Sequence, residues 1–210
     1  MKEAIKSLAN GLAWILVAWF AYPIAWLAPM DQRHLIFQLG SHVMSLLPGF
    51  PGVYLRRAYY KITLSLKSRG FVIEFGTILA QRGIEIGSDV YIGPYCNIGL
   101  SVIEDQVLLG SNVDIVSGKH THRFDCLDVP IKDQGGVLKK IRIGRGAWLG
   151  NKAVVLETIG EGTIVGAGAV VVAEQPPFVI VGGNPAKVLR SRKLQEEIAE
   201  SAPPRSSQQA

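Results

Sequence analysis

Two of the chain's four histidines stand two residues apart in the stretch Ser117-Gly118-Lys119-His120-Thr121-His122. A neutral imidazole, with a pKa near about 6.5, can take a proton from a hydroxyl and give one back at physiological pH. His120 and His122 are therefore candidates for general acid–base work. The stretch interrupts a regular succession of Ile, Leu, Val and Gly, so what positions the imidazoles is the repeat around them.

The repeat has a period of six. Aliphatic residues fall at Ile86, Ile92 and Ile98, at Ile103, Leu109 and Ile115, at Ile143, Leu149 and Val155, and at Ile159, Val165 and Val171. Gly follows the aliphatic residue in eight of these twelve hexads, as at Gly93 and Gly150. Four residues after it stands a small or β-branched residue, as at Val107, Ala147 and Ala153. A period of six fits neither an amphipathic helix nor strand alternation. It predicts a solenoid in which each hexad forms one flat face, three faces make a coil of about 18 residues, and the aliphatic side chains point inward. The glycines are expected to supply positive φ and close backbone approach near each corner. The step from Ile115 to Ile143 is 143 − 115 = 28 residues, which reads as further repeat turns carrying an extruded loop, 117–140.

This region, residues 72 to 193, resembles the hexapeptide-repeat acyltransferases; the terminal VGGNPAKVLRSRK also resembles the family's ending GNPAK. The resemblance implies a mainly β protein built on a left-handed parallel β-helix, with an N-terminal hydrophobic helical segment and a short C-terminal helix. It also implies a homotrimer with active sites between neighbouring subunits. In the sugar and polysaccharide O-acetyltransferase branch, Ser or Thr, then Gly, one residue and His form the active-site signature. Ser117, Gly118, Lys119 and His120 match it. On this reading His120 is the general base that deprotonates a sugar hydroxyl as it attacks acetyl-CoA, and a backbone N–H stabilises the oxyanion. His122 and Trp148 are expected near the acceptor. Relatives often carry Asp directly after the histidine; here that residue is Thr121, leaving Asp114 and Asp125 as candidates for orienting the ring. A zinc site of the γ-carbonic-anhydrase type needs three imidazoles, and the repeat offers only His120 and His122, so no metal is expected.

For the donor, the resemblance implies that Ala153, Gly168 and Ala169 border the pantetheine arm, while Lys187 and Arg190, with Arg192 and Lys193, meet the CoA phosphates. The same four cations would also suit the opening of a solvated helix. Relatives carry a fuller hexad containing Pro-Gly where this chain has only VLETIG, so the coil is expected to be pinched between Val155 and Ile159.

Residues 1–70 form a separate, hydrophobic helical region. No charged residue occurs from Leu8 to Met30. As a helix, this run would be about 35 Å long, enough for a hydrocarbon core of about 30 Å. Trp14, Trp19, Tyr22 and Trp26 suit a membrane boundary. A second apolar stretch from Leu35 to Leu55 is broken by Gly40 and the Pro48–Gly52 cluster, so it reads as interfacial or re-entrant. His34 and His42 read as interfacial polar residues. Membrane association through residues 8–55 by a span, a re-entrant hairpin or surface contact is open at this level, and a signal peptide or a buried core helix would share the first pattern. The polar tail 194–210 reads as disordered.

The formal net charge is +5, but the basic residues form no run interleaved with aromatics, which excludes a nucleic-acid-binding reading. Cys96 and Cys126 read as free thiols or as one disulfide. The chain thus reads as a membrane-associated O-acetyltransferase acting on a surface polysaccharide or lipid-linked glycan, with the β-helix domain at 71–193 on the cytoplasmic side of the cytoplasmic membrane. Alternatives are a transferase with another acyl donor or a small soluble acceptor, and a non-catalytic trimeric scaffold.

Overall fold

The computed structural model describes residues 2–27, 30 and 34–193; the tail 194–210 lies outside the described residues. The hexad pattern winds a left-handed parallel β-helix of very short strands. One face stacks β1 (Val72–Ile73), β4 (Tyr91–Ile92), β7 (Leu108–Leu109), β10 (Trp148–Leu149), β12 (Ile164–Val165), β14 (Val179–Gly182) and β15 (Lys187–Ser191). The second stacks β2 (Ile78–Leu79), β5 (Asn97–Ile98), β8 (Asp114–Ile115), β11 (Val154–Val155) and β13 (Val170–Val171). The third stacks β3 (Glu85–Ile86), β6 (Ser101–Ile103) and β9 (Ile141–Ile143). All these pairings are parallel except that of β14 with β15. β15 occupies the basic stretch after GNPA, which is therefore strand rather than the opening of a helix. The expected short C-terminal helix is not found as far as Ser191, and the residues beyond Lys193 lie outside the described residues.

Every one of the twelve phased aliphatic residues is buried, so the period of six is a period of inward-pointing side chains. Partners in successive coils, Ile86 with Ile103 and Leu149 with Val165, lie 103 − 86 = 17 and 165 − 149 = 16 residues apart. These coils are thus shorter than the expected 18 because the corner between one triplet of hexads and the next is trimmed, whereas the first coil, from Val72 to Tyr91, is longer at 91 − 72 = 19.

The glycines behave differently from expectation in one respect. Those following the aliphatic residue do not have positive φ; that conformation falls two residues later in the hexad, at Asp89, Tyr95, Gln106, Asn112, Gly146, Lys152, Gly162 and Gly168. What the former glycines provide is closeness between coils. A Cβ added to Gly93 would sit 2.7 Å from the Gly110 backbone, and one on Gly150 would sit 2.6 Å from Ala167 N. Gly93→Ala is therefore expected to lower stability by roughly 1–3 kcal/mol through overpacking. Gly11→Ala, on an open helix surface, should leave the melting temperature unchanged or slightly raised. Comparing the two by thermal unfolding separates coil packing from chain entropy.

The interruption adds no turn to the coil. β6, β7 and β8 pair directly with β9, β10 and β11. The whole segment between Val116 and Lys140 is an excursion rather than repeat turns with a loop.

Three helices cover the base of the column: α1 (Lys2–Trp26), α2 (Leu35–Ser45) and α3 (Gly49–Thr63). α3 packs on β1 and α2 on β2, while α1 lies along α3. α1 buries Ala13, Val17 and Ala21 and leaves Leu8, Leu12, Ile15, Leu16, Trp19, Tyr22 and Trp26 exposed. Those exposed positions recur at three- and four-residue spacing and form one continuous apolar stripe. α1 is long and apolar enough to cross a membrane. α2 and the residue that caps it add Leu35, Leu39, Val43 and Leu46 to the exposed apolar surface. The junction is polar inside. Arg56 is wholly buried; its Nε donates to the Ile73 carbonyl at 2.7 Å, and its Nη1 donates to those of Leu47 at 2.6 Å and Met44 at 3.2 Å. Ser41 Oγ shares a hydrogen bond with Tyr60 Oη and accepts one from Leu79 N–H, and burial pushes the Tyr60 pKa up to about 12.

Candidate active site

The excursion leaves the prism at Ser117, a buried residue whose Oγ accepts a hydrogen bond from Leu100 N–H at 2.9 Å. Gly118 follows with φ +90, and a Cβ there would meet Lys139 at 2.8 Å. The outgoing and returning strands then run side by side. Lys139 N–H donates to Ser117 O, Val137 N–H to His120 O and Arg123 N–H to Gly135 O. His120 is thus held at its backbone while its side chain is exposed. Farther out, Gln134 closes the tip, accepting from Cys126 N–H and donating to the carbonyls of Cys126 and Val129. Cys96 is buried and Cys126 exposed, and both are free thiols.

The loop is anchored by a residue that the sequence reading passed over. Glu157, in the pinched VLETIG hexad, is only 8% exposed. Its Oε2 accepts from Lys139 Nζ at 2.5 Å, and its Oε1 lies 3.5 Å from Lys119 Nζ. One carboxylate therefore ties both stems of the loop, including the residue next to His120, to the coil. The Lys139 hydrogen bond holds the Glu157 carboxyl below the usual carboxylate range, against the opposing effect of burial. Because the folded pKa is depressed, this tie contributes fully above the unfolded value of about 4.3 and is lost as pH falls through the lower folded value. Glu157→Ala is expected to reduce hydrogen-exchange protection across 117–139 and to slow turnover by roughly tenfold through misplacement of His120. Little effect is expected on the column, since the two freed lysines are solvent-exposed. The signal available in the sequence was a lone Glu within a shortened aliphatic coil.

The other candidate residues are distributed around the column. Asp114 lies on the second face, in register with Asn97 and Val154. Asp125 is paired with Arg123 at 2.5 Å, so its carboxylate is committed within the loop. Trp148 stands outward on the first face, half-exposed, between Leu108 and Ile164. Ala153 and Ala169 are fully buried, with their methyl groups inside the prism. Of the three small residues assigned to the donor arm, Gly168 alone is exposed; it occupies a corner with φ +70 and open space at its Cβ position. Lys187 and Arg190 are exposed on β15. Arg192 donates to the Gly162 carbonyl and Lys193 sits over the Phe178 ring at 5.3 Å, so these two are engaged in closing the column. His122 is exposed on the loop beyond His120. The loop also displays Phe124, Leu127, Ile131 and Val137, with Leu127 97% exposed.

Comparison with known proteins agrees with this architecture. The chain is 38% identical over 130 residues to a probable acetyltransferase of Mycobacterium tuberculosis, covering 58% of this chain and 42% of the relative. It is 31% identical over 117 residues to the galactoside O-acetyltransferase of Escherichia coli, covering 50% and 55% respectively. Both of these relatives are named as acetyltransferases. Solved structures share the fold. A maltose O-acetyltransferase of Clostridium difficile superposes with a TM-score of 0.65 at 19% identity, covering 77% of this chain and 87% of that one. A hexapeptide-repeat acetyltransferase of Vibrio cholerae complexed with acetyl coenzyme A gives 0.58 at 24% identity, covering 74% and 85%. No family model matches the chain. The chain spans about half the length of the curated relatives it matches.

Proposed function

We propose that the protein is an acetyl-CoA-dependent O-acetyltransferase that modifies a sugar hydroxyl of a surface polysaccharide or lipid-linked glycan at a membrane surface. The observation that carries the reading is His120, displayed in the Ser-Gly-x-His stretch on a loop braced to a hexapeptide-repeat column by Glu157. The named activities of the relatives support the acetyl donor and a carbohydrate acceptor.

The chemistry is direct transfer. The acceptor hydroxyl gives its proton to the neutral His120 imidazole as its oxygen bonds to the thioester carbonyl carbon. The resulting tetrahedral oxyanion collapses, the C–S bond breaks, and the imidazolium returns the proton to the CoA thiolate. The products are the acetyl ester and CoA, with no covalent intermediate on the protein. Gly168 and the exposed cations Lys187 and Arg190 form the donor side, where the positive charge suits the CoA phosphates. Asp114, His122 and Trp148 border the acceptor. Loop, acceptor residues and donor residues occupy different faces and a corner of one prism, which favours a homotrimer whose active site lies between copies. The apolar loop tip around Leu127 fits a neighbouring prism.

The apolar stripes of α1 and α2 hold the enzyme on the cytoplasmic membrane, with the column on the cytoplasmic side where acetyl-CoA is made available. α1 lies along α3, an arrangement that favours a helix resting in the interface over an isolated span. Mass spectrometry of surface and lipid-linked glycans from cells with and without the gene tests the assignment. Loss of one acetyl substituent with an otherwise intact glycan is expected; an unchanged set of glycan acetyl groups contradicts it.

A further inference from the structure

Beside α1 lies a cavity that the transfer chemistry does not use. It is about 360 Å³ and is lined by Asn10, Trp14, Arg57, Ala58, Lys61, Arg69 and Gly70. Three cations converge on it, and none of its lining residues is acidic. Among the described residues no carboxylate pairs with Arg57, Lys61 or Arg69. Arg57 is set in place rather than free: its Nε donates to the Phe71 carbonyl at 2.7 Å, and its Nη1 donates to Asn10 Oδ1 at 3.3 Å. Asn10 is a polar residue within the uncharged run of α1, and here it orients a guanidinium. Lys61 has its pKa lowered by burial and by the positive charges of Arg57 and Arg69. Gathering like charges at a partly desolvated site whose own lining holds no carboxylate favours an anion that completes it. Glu74 and Asp89 line the adjoining wider cleft, which shares Arg57 and Arg69 with the cavity, and offset part of their charge; Lys61 lines the cavity alone.

The position of the cavity says which anion. On α1 it occupies the flank carrying Asn10 and Trp14, between the buried face and the exposed apolar stripe of Leu8, Leu12, Ile15 and Trp19. A molecule whose anionic head entered it would have its apolar body alongside that stripe, and Trp14 is an amphipathic residue suited to that boundary. We infer that this cavity binds the phosphate of an anionic phospholipid headgroup, fixing the column at a set height and orientation on the bilayer. The inference extends the membrane-surface reading above and is independent of acetyl transfer.

Flotation of the full chain with vesicles tests it. Vesicles of phosphatidylcholine and phosphatidylglycerol in equal parts are compared with phosphatidylcholine alone. Tighter binding to the anionic vesicles is expected. Lys61→Ala with Arg69→Ala should weaken that binding by about tenfold or more while leaving the neutral vesicles unaffected. The charge-preserving pair Lys61→Arg with Arg69→Lys should restore it, which separates lost charge from lost folding. Lys132→Ala with Lys152→Ala, which removes two cations elsewhere, should change it little. Equal loss in that control pair, or none in the first pair, would overturn the site. Release of the protein from anionic vesicles by millimolar inorganic phosphate or CoA would assign the cavity to a soluble phosphate instead. Binding to both vesicle types without preference would overturn this inference and leave the membrane reading standing; binding to neither would overturn both.

Discussion

His120→Ala is expected to lower acetyl transfer by roughly 10²–10⁴-fold, the usual contribution of a positioned general base. The loss should appear in kcat, since the ring is needed when the proton moves, and acetyl-CoA binding should be nearly unchanged because the residues proposed for the donor lie on the column. His122→Ala should have a much smaller effect, as should Asp125→Asn, because Asp125 is already paired with Arg123. A His120→Ala rate within about threefold of wild type would remove His120 from the mechanism, whatever the fold.

Arg56→Ala is expected to destabilise the protein by about 3–5 kcal/mol. The guanidinium is fully buried and donates to three carbonyls: Met44 and Leu47 near the end of α2, and Ile73 in the first coil. Removing it leaves buried acceptors without those donors and opens a void between helices and column. Arg56→Lys should rescue little, because an ammonium is a point charge and cannot reproduce the planar fork. Thermal unfolding should register a fall on the order of 10 °C for either change. If only the helical base loosens, hydrogen exchange will rise across α2 and α3 while the coils from Ile86 onward stay protected. Such a result would make Arg56 the pin between the two regions rather than a support of the whole.

The column was legible because inward-facing positions in a repeating coil must be aliphatic, and residues such as Ile98, Ile115 and Val155 keep phase through every turn. His120 stood out as a candidate because Ser117-Gly118-Lys119-His120 breaks that phase with a reactive side chain, and the structure displays it exposed on the loop. The positive-φ corners were not, since they accept Asp89, Gln106 and Lys152 as well as glycine, so no residue type marks them. The burial of Ala153 and Ala169 follows from the same period: a position four after an inward aliphatic residue turns inward again. Glu157 and Arg56 were hidden for a different reason. The lysines of Glu157 are 157 − 139 = 18 and 157 − 119 = 38 positions away and the carbonyls of Arg56 are 9 to 17 away, and such pairings exist only once the chain is folded.

Transfer of label from radioactive acetyl-CoA by the purified full chain to a membrane glycan fraction is the most direct test. The expected product is a base-labile acetyl ester on carbohydrate, formed in step with free CoA, dependent on added acceptor and nearly abolished in His120→Ala. Label on an amine or on the protein itself, or CoA release indifferent to the acceptor, would contradict it.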